Sequence, residues 1–308
     1  MSASEKRNLA ASVRQRLLVL GQKRGEPFDL ILTRYGIERL LYRLSKSAYA
    51  DRFLLKGAML FRVWNDSSHR PTRDVDFLGY GPAETKDLEG IFRELCSLPV
   101  DPDGLIFLPL TVNAQPIREE AVYGGIRVTL EARLENAKIP IQCDIGFGDA
   151  VTPEPEQVEF PALLDFPAPQ LRSYPTYTVV AEKLEAMVLL GEANSRMKDF
   201  YDLWFLSQHF EFDGNTLVTA LRATVARRKT ELPESTPHAL ILILFQDELY
   251  YAFLSRCHEN PLSIRFSLIK PKKLPTTPSA LTPFAYASLF CFPRGSEPRW
   301  NKSHPSLA

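Results

Sequence analysis

The sequence predicts an α/β fold in which helices come first, acid-bearing strands follow, and helices close the ordered part of the chain. Three observations lead there. Apolar residues recur at helical spacing over Ala11–Leu20 and again over Ile31–Leu44 through Ile31, Tyr35, Ile37, Leu40, Leu41 and Leu44. Three later segments, Asp74–Leu78, Ile126–Leu134 and Ile139–Phe147, alternate apolar and polar residues, the period of a half-buried strand. Val179–Leu190 and Met197–Phe210 then return to the helical period.

The elements follow in order. After the first two helices a third is expected over Arg52–Val63, since Phe53, Leu54, Leu55, Met59, Leu60 and Val63 leave a wide apolar face. Gly57 interrupts it. A glycine inside a helix costs about 1 kcal/mol against alanine, so Gly57 reads as a turn between a short approach segment and a new helix N-terminus. In the last of the three strands Ile139, Ile141, Cys143, Ile145 and Phe147 share one face, leaving Asp144 on the other. Residues 154–169, rich in proline and acid, read as an irregular connection with one short strand at Val158–Leu164. Asn194 or Ser195 is placed to cap the helix that begins at Met197. Residues 236–308 have many prolines and no sustained period and read as a poorly ordered tail, with a composition that fits an appended or frame-shifted segment.

Composition narrows the function classes. Of the 308 residues 45% are apolar and 24% charged, as in globular domains, and the formal net charge is zero, so no global basic field announces a nucleic acid. A local stripe such as Arg222, Arg227, Arg228 and Lys229 remains able to bind phosphate. The four cysteines, Cys96, Cys143, Cys257 and Cys291, form no C-x-x-C pair, which indicates neither a zinc site nor a disulfide framework and fits a reducing cytoplasm. Met1–Leu20 lacks the unbroken apolar core of a signal peptide, and the longest apolar run, Ala239–Phe245, is far shorter than the roughly 20 residues that span a bilayer.

The chemistry centres on Asp74 and Asp76. Residues two apart on a strand project from the same face, so both carboxylates stand near one point and repel unless a cation joins them. Mg²⁺ suits such a pair, taking one or two carboxylates and filling its remaining positions with water and phosphate oxygens. The plain alternative is two solvated acids near a strand end. Lys56-Gly57-Ala58 lies upstream, where backbone N–H groups at a loop-to-helix junction can meet a phosphate; the alternative is an ordinary glycine turn. Asp144 is a third metal ligand, a base for an attacking hydroxyl, or the partner of an arginine such as Arg133. Further on, Lys198, Asp199 and Asp202 are spaced to lie along one helical face, one cation flanked by two anions, with Phe200, Leu203 and Trp204 toward the buried side.

Two stretches carry a resemblance. Phe53-Leu54-Leu55-Lys56-Gly57-Ala58-Met59-Leu60, followed by Arg70-Pro71-Thr72-Arg73-Asp74-Val75-Asp76-Phe77-Leu78-Gly79, resembles the signature of AbiEii/AbiGii-type nucleotidyltransferase toxins within the polymerase-beta-like superfamily. Ala181-Glu182-Lys183-Leu184-Glu185-Ala186-Met187 and Arg196-Met197-Lys198-Asp199-Phe200-Tyr201-Asp202-Leu203 look like that family's second block. The resemblance covers roughly residues 5 to 235. It departs at Ala58, where many members carry a hydroxyl residue, so that only backbone donors remain there.

The resemblance implies a nucleotidyltransferase-type mixed sheet with flanking helices and a helical C-terminal half. The catalytic domain would be residues 1–170, and residues 171–235 would complete the nucleotide cleft. It implies transfer of a nucleoside monophosphate from an NTP to an acceptor hydroxyl, on tRNA, in a toxin–antitoxin or phage-defence system with an antitoxin encoded alongside. Asp74, Asp76 and Asp144 would hold two Mg²⁺ ions. Lys56, Gly57, Ala58, Lys183, Lys198 and Asp202 would contact nucleotide, with Lys183 and Asp199 also serving catalysis; a solvated lysine and helix-anchoring acids are the bland readings. The same metal site would also suit a protein side chain or small molecule as acceptor, and a non-catalytic relative would bind a nucleotide or partner only.

Overall fold

The structure, a computed structural model, describes residues 3–65, 72–117, 124–191 and 196–231. The expected tail over 236–308, the expected cap at Asn194 or Ser195, and Arg70 and Pro71 of the first motif lie outside the described residues. The chain divides into two compact units, Met1–Val179 and Val180–Ala308.

The first unit is built on a seven-stranded mixed sheet in the order β3-β4-β5-β2-β1-β7-β6. The strands are β1 (Phe53–Lys56), β2 (Asp74–Gly79), β3 (Ile106–Ile117), β4 (Gly125–Leu134), β5 (Ala137–Phe147), β6 (Glu156–Glu159) and β7 (Gln170–Ser173). β2 runs parallel to β5 and β1 parallel to β7, while the other neighbours are antiparallel. The helices are α1 (Ala3–Arg24), α2 (Phe28–Lys46), α3 (Leu60–Trp64), α4 (Thr85–Ser97), α5 (Thr176–Leu190), α6 (Met197–His209) and α7 (Gly214–Arg228). Among the described residues no helix is long and apolar enough to cross a membrane.

The segment expected to be a helix over Arg52–Val63 is instead a 3₁₀ turn at Ala50–Arg52, then strand β1, a second 3₁₀ turn at Gly57–Met59, and the short helix α3. The break at Gly57 is where the sequence places it. Phe53, Leu54 and Leu55 are all buried because β1 is central and covered on both faces, and a short continuous apolar run has no period that separates such a strand from a helix. The single strand expected at Val158–Leu164 is two, β6 and β7, paired from Glu156↔Ser173 to Glu159↔Gln170. The structure also adds α4, β3 and α7 to the elements expected from the sequence. Pro109 and Pro116 fall within β3, which lies at the sheet edge where a missing N–H is tolerated. Helix α7 is capped by Asp213, whose carboxylate accepts from Thr216 N at 2.8 Å.

One face of the sheet is dry. Val75, Phe77, Val128, Cys143 and Ile145 are at most 2% exposed. Helix α2 presses against β5 so closely that a Cβ at Gly36 would stand 2.8 Å from the Ile139 side chain. The buried thiols of Cys96 and Cys143 form no disulfide among the described residues, and burial raises both, Cys96 to about 12. Phe53 meets Phe77 and, from α4, Phe92 at centroid separations of 5.6 and 6.0 Å.

Helix α2 buries charge as well as apolar surface. Arg39 Nε and Arg43 Nη1 donate to Asp103 Oδ2 at 3.2 and 2.7 Å, and Tyr35 donates to the Asp103 carbonyl at 2.7 Å. Glu38, fully buried, accepts from Leu163 N at 2.7 Å and lies 3.3 Å from Arg39 Nη1. These contacts tie the loop before β3 and the connection before β7 to one helix. Burial, the largest influence, pushes the Glu38 carboxyl up from 4.5 to about 7, against the opposing Leu163 N–H and Arg39 charge. The folded state then holds that proton more tightly than the unfolded state does. The contribution is therefore full below pH 4.5 and is lost as pH rises through about 7. Stability is expected to fall by roughly 1–3 kcal/mol across that window, and Glu38→Gln to flatten the slope. Urea unfolding at a series of pH values checks this, and an equal slope in both proteins would contradict it.

Candidate active site

The half-buried face of the sheet in the first unit carries the acids. Strand register sets them in rows: Arg127 of β4 lies opposite Asp144 of β5, Asp144 opposite Asp76 of β2, and Asp76 opposite Lys56 of β1. Asp74 pairs in register with Gln142, one step along the same face. Strands about 4.8 Å apart bring Asp76 and Asp144 side by side, with a cation at each end of the row. Val75 and Phe77, pointing into the dry core, fix which way the acids face.

Each charge has a defined neighbour. Arg127 grips Asp144 with both prongs, Nε to Oδ1 at 2.8 Å and Nη2 to Oδ2 at 2.7 Å. Of the readings open for Asp144, a pairing with an arginine is present; the arginine is not Arg133, the example named, which pairs with Glu131 at 3.0 Å because it faces Lys138 in the register whereas Arg127 faces Asp144. Lys56 Nζ meets Asp149 Oδ2 at 2.9 Å and lies 5.4 Å from the Tyr174 ring centroid. The Thr72 hydroxyl donates to Asp74 Oδ1. Asp149 and Arg127 were not expected from the sequence. Arg127 was recoverable only by aligning β4 against β5, and Asp149, in the turn after β5, has no periodic signal.

Gly57 serves a purpose beyond the expected phosphate approach. Its φ is +73°, and a Cβ there would overlap the Asp76 carboxylate. The turn thus rests directly on the acid. Gly57→Ala is expected to cost about 1–2 kcal/mol for the left-handed backbone alone and to displace Asp76. Denaturant unfolding reads the first effect and Mn²⁺ affinity the second; a variant unchanged in both would refute this packing. Ala58 is buried, and the helix after the turn has only five residues, so its dipole is small.

The second unit contains another charge cluster. Lys183 of α5 reaches Asp199 Oδ1 at 2.7 Å and Asp202 Oδ2 at 2.8 Å, both on α6. The cation between the two acids was expected to be Lys198, on their own helix; Lys198 is exposed instead, while Asp199 and Asp202 are buried. The buried face of α6 holds Asp199, Asp202, Leu203, Phe205 and Leu206, so the acids share the side expected for Phe200 and Trp204. The helix N-cap is Arg196, without a side-chain capping bond. Arg228 of α7 likewise bridges to Glu182 at 3.3 Å and Glu185 at 2.7 Å, which takes it out of the expected basic stripe.

The donor set suits a hard divalent cation in kind: carboxylate oxygens on one face of adjacent strands. As the side chains stand, no three histidine, cysteine, aspartate or glutamate residues among the described ones converge to hold a metal ion. Asp144 has both oxygens on Arg127.

No curated protein matches the chain. Two solved structures from Helicobacter pylori are similar: JHP933, at 14% identity with a TM-score of 0.39, covering 71% of this chain and 93% of its own, and a candidate nucleotidyltransferase, at 15% identity with a TM-score of 0.38, covering 72% and 94%. Likeness this distant says nothing of substrate. Residues 39–270 match the family described as nucleotidyl transferase AbiEii toxin, Type IV TA system, a span that begins later and ends further along than the motif resemblance over 5 to 235. That match covers most of the chain, which therefore belongs to the AbiEii nucleotidyltransferase toxin family of type IV toxin–antitoxin systems.

Proposed function

We propose that the chain is a Mg²⁺-dependent toxin that moves a nucleoside monophosphate from an NTP to an acceptor hydroxyl on tRNA, releasing pyrophosphate. The observation that carries this reading is the register of Asp76 against Asp144, with Asp74 on the same face. Two Mg²⁺ ions held there would neutralise phosphate charge and polarise the bond to the transferred phosphorus. Asp74 and Asp76 would hold the ions; Asp144 would complete their ligation or accept the proton of the attacking hydroxyl. The backbone of Gly57 and Ala58 and the ammonium of Lys56 face the nucleotide from the end of β1. Lys183 and Lys198 serve the triphosphate, with Asp199 and Asp202 positioning Lys183, the cation they hold. Family membership implies a cognate antitoxin; action in phage defence and in the cytoplasm, where tRNA and NTPs are found, completes the reading.

The test is incubation of the full chain with each labelled NTP in turn, Mg²⁺ and total tRNA, followed by separation of RNA from protein. Label in the RNA fraction, with pyrophosphate released and no label when Mg²⁺ is chelated, is the expected result. Label in protein would replace tRNA by a side-chain acceptor. Nucleotide binding without any transfer would make the chain a non-catalytic relative.

A further inference from the structure

We propose that Arg127 is a displaceable counter-ion of the metal site: it neutralises Asp144 while no divalent ion is bound, and once displaced its guanidinium serves the phosphates of the nucleotide. The inference rests on the reading of Asp144 as a metal ligand.

The geometry gives Asp144 two rival cations. On the β4 side Arg127 takes both carboxylate oxygens, at 2.8 and 2.7 Å, the forked arrangement that leaves the strongest acceptor positions filled. On the β2 side Asp76 stands in register, so any ion bridging the two acids needs an Asp144 oxygen that Arg127 now holds. Mg²⁺ and a guanidinium on one carboxylate would place like charges a few ångströms apart, so each weakens the other's hold on Asp144. The side chains are built for that exchange. Arg127 is 37% exposed, so its charge can leave the carboxylate without being stranded in a dry interior. Gln142, beside it, supplies a second acceptor: with its amide turned so that both groups are satisfied, its carbonyl oxygen lies 3.2 Å from both Nε and Nη2. A guanidinium that has lost Asp144 therefore still has a neutral acceptor to pivot on. Its planar set of donors matches phosphate oxygens as well as it matches a carboxylate. The row, two acids between two cations, also explains how the aspartates stand side by side: Arg127 closes one end and Lys56 the other.

The experiment measures Mn²⁺ binding to the full chain by the loss of its free-ion EPR signal, without nucleotide, for the wild type, Arg127→Gln, Arg127→Lys and Asp144→Asn. Removing the competitor should tighten Mn²⁺ binding about tenfold in Arg127→Gln, with Arg127→Lys in between because it keeps the charge but loses the fork. With Mn²⁺ saturating, binding of each of the four NTPs should be about tenfold weaker in Arg127→Gln, since the phosphates lose a cation. Wild-type Mn²⁺ affinity in Arg127→Gln, or unweakened NTP binding, overturns the proposal. Should Arg127→Gln fail to fold, Arg127→Lys decides: wild-type Mn²⁺ affinity there overturns it equally. Asp144→Asn separates the two layers. If it weakens Mn²⁺ binding while the Arg127 variants change nothing, the counter-ion idea alone fails; if it leaves Mn²⁺ binding unchanged, the metal reading of Asp144 fails and takes the proposal with it.

Discussion

Asp76→Asn is expected to lower nucleotide transfer at least about a hundredfold, the scale at which a lost metal ligand or a lost electrostatic contact usually shows. The substitution keeps shape and removes one charge. Asp76 is half-buried, lies against Gly57 and stands in register with Asp144, so an amide of equal size leaves the packing intact, and the melting temperature should be unchanged or slightly raised by relief of the repulsion. Asp74→Asn should behave similarly. Mn²⁺ affinity supplies a readout independent of turnover and should weaken in both variants. An Asp76→Asn protein that melts normally, binds Mn²⁺ normally and transfers at near the wild-type rate would remove Asp76 from the site.

The second large effect is expected at Lys183. The structure places its ammonium between Asp199 and Asp202, the latter fully buried. Deleting one partner of a buried ion pair leaves the other's charge uncompensated, and Lys183→Met is expected to destabilise the helical unit by about 3 kcal/mol or more. Activity should fall too, so the single variant does not separate structure from chemistry. The triple variant Lys183→Met, Asp199→Asn, Asp202→Asn removes the orphaned charges together. It should recover much of the melting temperature and none of the activity if Lys183 also serves the triphosphate. Recovery of both would make the cluster purely structural. Lys183→Arg sharpens the assignment: retained melting with a reduced turnover rate points to the transition state, whereas a raised KM at constant turnover points to uniform binding. A Lys183→Met protein that melts like the wild type would contradict the ion-pair geometry itself.

Periodicity made the strands that bear the acids legible, and with them the shared face of Asp74 and Asp76, because a two-residue repeat translates directly into side-chain direction. The partners of those acids were not legible in the same way. Arg127 and Asp144 meet through register between β4 and β5, and register depends on turn geometry and on which face is buried, neither of which a spacing pattern states. The same limit applies to Lys183. Spacing along α6 suggested a cation on the same helix, yet the acids turned inward to a lysine on α5. Helix α2 shows the converse. Its apolar stripe was read correctly, but Glu38, Arg39 and Arg43 are buried as well, since Asp103, Leu163 and Pro167 supply partners from distant parts of the chain. Amphipathic reasoning assumes water on the polar side and fails where protein takes its place. In β1 the burial of both faces erased the period altogether.

The parallel pairing of β2 with β5 has a consequence in time. A hairpin can form as soon as its second strand leaves the ribosome, but Asp76 has no Asp144 beside it until the chain has been made through β5 at Phe147. Contacts between segments this far apart close slowly, because the entropy of the intervening loop is lost before the pairing compensates for it. An incomplete chain thus carries the first two acids without the third, and a polypeptide that stalls or is cut before that strand cannot set the three on one face. Synthesis order itself delays the moment at which these acids meet.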